Sequence, residues 1–425
     1  MNEELLSYFW KLQRFPKENL CTTDGEPISV IYPGLLNRDG GPDFLHARIR
    51  IGQTLWVGNV ELHVKSSDWE KHGHSNDPVY DNVILHVVYQ HDKELNLPFP
   101  ELALDSFLDQ RTLLQAEDWQ KSLNPIPCSA NLVRQPDIMS IAWKERLLIE
   151  RLETHSATIR VRIDQLRGNL EEAFLQTLAH YFGMKVNSLP FEMLARTIPL
   201  KALRKYSHHR EEAEALFFGQ AGMLQGRGAD GFHSSLRERY RYQKSIYHLE
   251  EMDASYWKYL RLRPANFPSR RISQLASLYC KSPNLLQEIL DCHRLEDLEN
   301  ILHVTAHVYW EDHVRFGQPC RHSKAELGVD TRRHLLGNAV LPFLFVIAEI
   351  RAMPELRENV LEMFHELPAE NNRLMKQWKE RGVLAKSFGE SQGLIHLYTD
   401  YCQKKKCLDC QVGVKILQSR KNLME

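Results

Sequence analysis

Residues 58–65 read GNVELHVK, and the fold of the first third of the chain turns on them. Alternation along an extended strand sends Val60, Leu62 and Val64 to one face and Glu61, His63 and Lys65 to the other. The apolar parity is the core parity, so the chemically active side chains share one side. Upstream, GGPDF (40–44) leads into FLHARIRIG (44–52), which puts Asp43 where that strand begins. Folded back across GQT (52–54) as an antiparallel hairpin, the two strands bring Asp43 and Glu61 to the same edge.

Outward from this pair, EPISVIY (26–32) and NVILHVVY (82–89) are also short, β-branched and bounded by Gly, Asp, Asn and Pro. An opening helix over 4–14 carries Leu5, Phe9 and Leu12 at helical spacing. From about Ile138 the period lengthens, as in LEEAFLQTLAHYF (170–182) and VLPFLFVIAEIRAM (340–353). The expected class is therefore α+β: an N-terminal mixed β-sheet with a flanking helix over 1–125, then a mainly α-helical domain over 126–425. The join falls in LNPIPCSANLVRQPD (123–137), where Pro125, Pro127 and Pro136 interrupt both helix and ladder.

A chain of 425 residues, 43% hydrophobic and 26% charged, has ample apolar surface to bury and excludes wholesale disorder. Lys+Arg 54 against Asp+Glu 55 excludes a bulk basic field, so any polyanion site is local. The longest nearly uncharged apolar run, 338–348, falls short of the ~20 residues of a bilayer span, and no membrane association is expected. The opening MNEELLSYFWKLQRF lacks a secretory order of charges, which points to the cytoplasm. There the eight cysteines read as thiols or metal ligands.

Two carboxylates beside a strand-borne base suit hydrolysis of a phosphodiester with Mg²⁺ or Mn²⁺. Oxygen ligands hold the ion, the ion polarises the phosphoryl group and activates water, and a cation or imidazole assists. The arrangement is similar to the PD-(D/E)XK nuclease superfamily, whose pattern is Pro-Asp before one strand and acid-x-Lys on the next. Pro42-Asp43 matches the first half; after Glu61 the lysine position holds His63, and Lys65 is displaced by two. The resemblance implies a restriction-endonuclease-like sheet, with Asp43 and Glu61 as metal ligands and His63 or Lys65 acting on water or phosphate. The alternatives are a turn-capping Asp43 with an exposed Glu61–Lys65 pair, and a non-catalytic nucleic-acid- or protein-binding module on a degenerate scaffold. Downstream, SSDWEKHGHSNDPVYDNVILHVVY (66–89) concentrates Asp68, His72, His74, Asp77, Asp81 and His86. These suit metal ligation or proton shuttling, or else a polar loop with His86 as a hydrogen-bonded core residue and Trp69 as a packing anchor.

Residues 141–271 carry Lys+Arg 22 against Asp+Glu 15. Between Ser235 and Tyr279 tyrosines interleave with arginines, and Arg237, Arg241, Arg263, Arg270 and Arg271 are the expected phosphate contacts for DNA or RNA, or else part of a solvated helix face. The sharpest local chemistry is YCQKKKCLDCQVG (401–413), with Cys402, Cys407 and Cys410 spaced for one metal, zinc or an Fe–S cluster. His396 completes the set locally; Cys21, Cys320 or His322 do so from afar. Cys128, Cys280 and Cys292 read as buried small hydrophobes. With Cys21 as the distant ligand the arrangement is loosely similar to iron-stapled nucleases, although the C-terminal spacing differs.

GGPDF, GNVELHVKSSDW, RLRPANFPSRRISQLA, SQGLIHLYTDYC and CLDCQVG together resemble an uncharacterised bacterial family, a domain of unknown function, over nearly the whole chain. That resemblance implies a bacterial cytosolic protein and carries no activity.

Overall fold

The computed structural model describes residues 1–133, 138–226 and 229–419, so Pro136 of the expected join lies outside the described residues. The alternating segments form one mixed sheet of β1 (Ile28–Tyr32), β2 (Leu35–Leu36), β3 (Phe44–Ile51), β4 (Thr54–Lys65), β5 (Val83–Gln90) and β6 (Glu101–Ala103). The order is β1-β3-β4-β5-β6, with β2 also on β3. β1, β3 and β4 pair antiparallel, whereas β4, β5 and β6 pair parallel. Gly52, at φ +57, makes the left-handed turn of the β3–β4 hairpin.

β4 changes character along its length. Thr54–Val57 are exposed, but Gly58, Val60, Glu61, Leu62 and His63 are buried, so both faces of its second half are covered. The parallel partner explains this, since Val83–Val88 of β5 are buried without interruption, as strands of parallel sheets are. Glu61, His63 and His86 are thereby trapped at 5%, 1% and 0% exposure. Register sets Glu61 opposite His86 and His86 opposite Glu101, a polar row across three strands. The β4–β5 connection carries α2 (Asp68–His72), which packs against β4. α1 (Glu3–Lys11) also packs against β4; the Asn2 side chain caps it, and Leu5, Leu6, Phe9 and Trp10 are buried.

The described chain divides into two compact units. One comprises Met1–Trp143, Arg381–Val383 and the residues from Leu397 onward; the other comprises Lys144–Glu380 and Leu384–His396. The boundary thus falls after Trp143, and the cysteine segment belongs with the sheet instead of with the helices. In the first unit the sheet is followed by α3 (Gln110–Lys121) and α4 (Ser129–Leu132). The helical unit begins within α5 (Ile141–Gln165) and continues through α6 (Leu170–Phe182), α7 (Met184–Thr197), α8 (Leu200–Tyr206), α9 (Arg210–Gln220), α10 (Gly231–Tyr247) and α11 (Pro268–Lys281). Asn169 and Asp230 accept backbone N–H groups at the starts of α6 and α10. Its core gathers Phe174, Phe182, Phe218, Phe343 and Phe345. The helical run Val329–Ile350 extends the apolar stretch 338–348 to a length and composition sufficient to cross a bilayer; 78% of its most apolar window is buried, as in a core helix.

Glu192 on α7 ties three helices together. Its carboxylate meets His180 Nδ1 of α6 at 2.9 Å, Arg162 Nη2 of α5 at 3.0 Å and Arg196 Nη2 of its own helix at 2.5 Å. The hydrogen bond from His180, with the two arginines, overcomes burial and lowers its pKa to about 2. A folded-state pKa below the unfolded value gives stability that is complete above about 4.5 and is lost as pH falls toward about 2. Glu192→Gln is expected to cost about 2 kcal/mol near neutral pH. The difference from wild type, followed by urea unfolding at several pH values, should shrink on acidification; a pH-independent difference contradicts the assignment.

Candidate functional site

The antiparallel β3–β4 hairpin brings Asp43 and Glu61 together through each other's backbone. Glu61 Oε2 accepts the Asp43 N–H at 3.0 Å, and Asp43 Oδ2 accepts the Leu62 N–H at 3.0 Å. Burial raises the Asp43 carboxyl well above the usual carboxylate range, against the pull of the Leu62 N–H, and the Glu3 charge on α1 adds to the rise. Burial raises Glu61 further, followed by the charge of Asp43 itself and of Glu3. Crowded acids that resist ionising together favour a shared proton or a cation between them.

The connection after β4 supplies imidazoles. His72 closes α2, Gly73 reverses the backbone at φ +73, and His74 opens the next turn. A glycine at the left-handed position lets both rings of HGH turn to the same side, which a continuous helix forbids. The donor atoms of His63, His72 and His74 lie within 4.8 Å of one another. His63 Nε2 is 3.0 Å from His72 Nδ1, and Glu61 Oε1 is 3.3 Å from His74 Nε2 and 3.8 Å from His63 Nε2. Trp69, 2% exposed, packs edge-on against His63, His74 and His86, and Tyr80 stacks on His74 at 3.9 Å. Trp69 is a packing anchor, too buried to stack a base.

Behind His63 runs a row of close polar contacts. His63 Nδ1 is 2.9 Å from His86 Nε2, and His86 Nδ1 is 2.9 Å from Glu101 Oε2. Glu101 Oε1 meets Ser66 Oγ at 2.7 Å and His91 Nδ1 at 2.6 Å. Burial alone raises Glu101, but the donors His86, His91 and Ser66 bring it below its ordinary value. An ionised Glu101 requires His86 to donate from Nδ1, which leaves His86 Nε2 to accept from His63 Nδ1–H. His63 Nε2 then carries a lone pair, aimed at His72. Burial, with His86, His72 and His74 nearby, lowers the His63 pKa to about 3, so the ring is neutral and able to ligate at physiological pH. Such carboxylate–histidine backing is the usual support of a metal-bound imidazole.

The remaining expected residues fall elsewhere. Lys65 stands exposed at the end of β4, where its N–H bonds Asp68. Arg270 and Arg271 are each 3% exposed and do not form a phosphate-binding surface. α11 is buried from Pro268 to Tyr279, and its guanidiniums are used internally. Arg270 binds Trp310 O and Ser323 Oγ, and Arg271 binds Asn266, Thr331 and Gln274. Arg241 and Arg263 are exposed; Arg237 is half-buried and bonds Gly226 O. These five arginines belong to the helical unit, and the Asp43–Glu61 site to the other. Cys402, Cys407 and Cys410 are all buried in the sheet-containing unit. His396 belongs to the helical unit, where its Nε2 lies 3.3 Å from Glu150. His322 pairs with Asp312 at 3.0 Å, and Cys21 is exposed.

Sequence reasoning missed Glu3, Glu101 and Tyr80. Glu101 left one trace, an acid inside the apolar run FPELAL (99–104); Glu3 and Tyr80 left none that separates them from surface residues.

These features define an α+β protein with a buried carboxylate–histidine centre on a mixed sheet. Residues 3–373 match the family described as Protein of unknown function (DUF2851), and the chain belongs to that family. No curated protein and no solved structure matches it. The matched residues include the whole centre and stop short of Cys402.

Titration calorimetry with MnCl₂ is expected to show uptake that tightens as pH rises, because protons compete for the raised carboxyls. His63→Ala and Glu61→Gln should abolish it, and Glu101→Gln should weaken it about 10- to 100-fold. Equal uptake by wild type and His63→Ala means that the cluster binds no metal.

Proposed function

We propose that this protein is a metal-dependent phosphodiester hydrolase acting on nucleic acid, with Asp43 and Glu61 holding the cation. The observation that carries this reading is their convergence at the β3–β4 hairpin, where Glu61 accepts the Asp43 N–H and Asp43 accepts the Leu62 N–H, with His63 two residues beyond Glu61. Asp43 and Glu61 would hold the cation, which would relieve their repulsion and supply Lewis-acid polarisation of a phosphoryl group and activation of water. His63 stands where the PD-(D/E)XK pattern that the motif resembles has lysine; it orients water or completes the ligand set, and the exposed His72 takes up the proton. Imidazoles beside carboxylates favour Mn²⁺ or a similar transition ion over Mg²⁺, which prefers an all-oxygen shell.

The competing reading is a binding module on a degenerate nuclease scaffold. The missing lysine and the internal use of Arg270 and Arg271 favour it. Purified protein with Mn²⁺ or Mg²⁺ on single- and double-stranded DNA and RNA separates the two. Cleavage is expected with Mn²⁺, falling at least about 100-fold in Asp43→Asn and Glu61→Gln, the scale of loss when transition-state charge is left unsupported. Binding without cleavage, equal in both variants, supports the module instead.

A further inference from the structure

Four of the eight cysteines, Cys128, Cys402, Cys407 and Cys410, are buried at 6–8% exposure within the sheet-containing unit, and none forms a disulfide. The two stretches that carry them, 271 to 283 residues apart at the bonds that join them, are stitched together. Lys405 Nζ donates to the carbonyls of Ser122 and Asn124, the Ser140 hydroxyl to Gln411 Oε1 at 3.0 Å, and Lys415 Nζ to Ile138 O at 3.2 Å. Cys128 lies within the first stretch, immediately before α4. Cys407 and Cys410 lie within the second, before the helix Gln411–Ser419.

The local backbone is shaped around the sulfurs. Burial raises the Cys410 thiol, and the N–H groups of Gly413 and Val412 at the helix start pull against that rise. A Cβ on Gly413 would stand 2.1 Å from Cys407 O, so the helix closes tightly over the Cys407–Cys410 turn. Beyond the effect of burial, Cys402 feels Cys128, Cys410 and Cys407, and Cys128 feels Cys410 and Cys407, which puts the four in one neighbourhood. Four buried, unlinked thiols on two distant stretches that are hydrogen-bonded to one another suit soft-metal ligation.

We propose that Cys128, Cys402, Cys407 and Cys410 are the four thiolate ligands of one metal centre, a zinc ion or an iron–sulfur cluster, that staples the segment around α4 to the segment before Gln411. The missing fourth ligand of the C-terminal trio is thus Cys128, in place of His396 or the distant Cys21. Each thiol gives up its proton to solvent as the metal binds, and the lysines at 404–406 offset the resulting negative charge.

The test is metal analysis, acid-labile sulfide and visible absorbance of the full chain purified anaerobically and offered zinc, or iron with sulfide. Zinc without colour identifies the ion, whereas iron, sulfide and a brown chromophore identify the cluster. In a His63→Ala background, which removes the carboxylate–histidine site, Cys128→Ser and Cys407→Ser are each expected to lower metal content at least about tenfold, while Cys21→Ser keeps it. Full metal content in Cys128→Ser, or wild type holding under about 0.1 equivalent after loading, overturns the proposal. Should Cys128→Ser be insoluble, pulsed alkylation of wild type decides. Cys128 must become reactive together with Cys402, Cys407 and Cys410 when metal is stripped; labelling of Cys128 indifferent to metal counts against it.

Discussion

The line of contacts from Glu101 through His86 to His63, an ion-pair distance followed by a hydrogen bond, is the interaction on which the candidate centre depends. A carboxylate and two imidazoles inside an apolar ladder are costly unless each finds a partner; here Glu101 lies in register with His86 on the next parallel strand, and His63 reaches His86 diagonally, two residues out of register. One ionised acid at the end of the row decides which nitrogen of each ring bears hydrogen. The sheet therefore does more than hold His63 in place; it selects the tautomer that turns a lone pair toward Glu61 and the HGH turn. Slipping β5 by one residue would replace His86 with an apolar side chain, leaving Glu101 only Ser66 and His91 and leaving His63 only His72.

The acids opposite are held by a different device. Each carboxyl is held by backbone: Glu61 accepts the Asp43 N–H, and Asp43 accepts the Leu62 N–H. Their proximity is set by strand pairing and survives whether the carboxyls are charged or neutral. That combination, an enforced meeting of acids backed by neutral imidazoles, is what makes the site a plausible seat for a cation and distinguishes it from an ordinary surface ion pair, where side chains drift apart when repelled.

Much of this was legible. The period of two in 44–52 and 55–64 foretold the hairpin, and the parity of GNVELHVK placed Glu61 with His63. The parallel pairing of β4 with β5 was not legible, because an uninterrupted apolar run such as VILHVV announces burial on both faces without naming its neighbour. His86 read as a hydrogen-bonded core residue, which it is, but its place between His63 and Glu101 was not legible. HGH was legible as metal-prone chemistry, but the reversal at Gly73 that makes two adjacent rings compatible is a backbone property. Arg270 and Arg271 misled for the opposite reason. Their composition is that of a phosphate-binding surface, and only the enclosure of α11 on all sides shows that they serve carbonyls and amides of their own unit. Cys128 lacked a local spacing signal, since its neighbours in space lie more than 270 residues along the chain.

The sheet-bearing unit draws on both ends of the chain, with the whole helical unit inserted between them. On the ribosome the strands bearing Asp43, Glu61 and His86 emerge early, yet the stretch that bonds to Ser122 and Ile138 follows some 280 residues later, tens of seconds at ordinary elongation rates. During that interval the nascent unit is unfinished, with the apolar surface later covered by the Gln411–Ser419 helix open to chaperones. A fragment cut after Trp143 would be frozen in that adolescent form, so excision at the domain boundary yields an immature half, not a minimal enzyme.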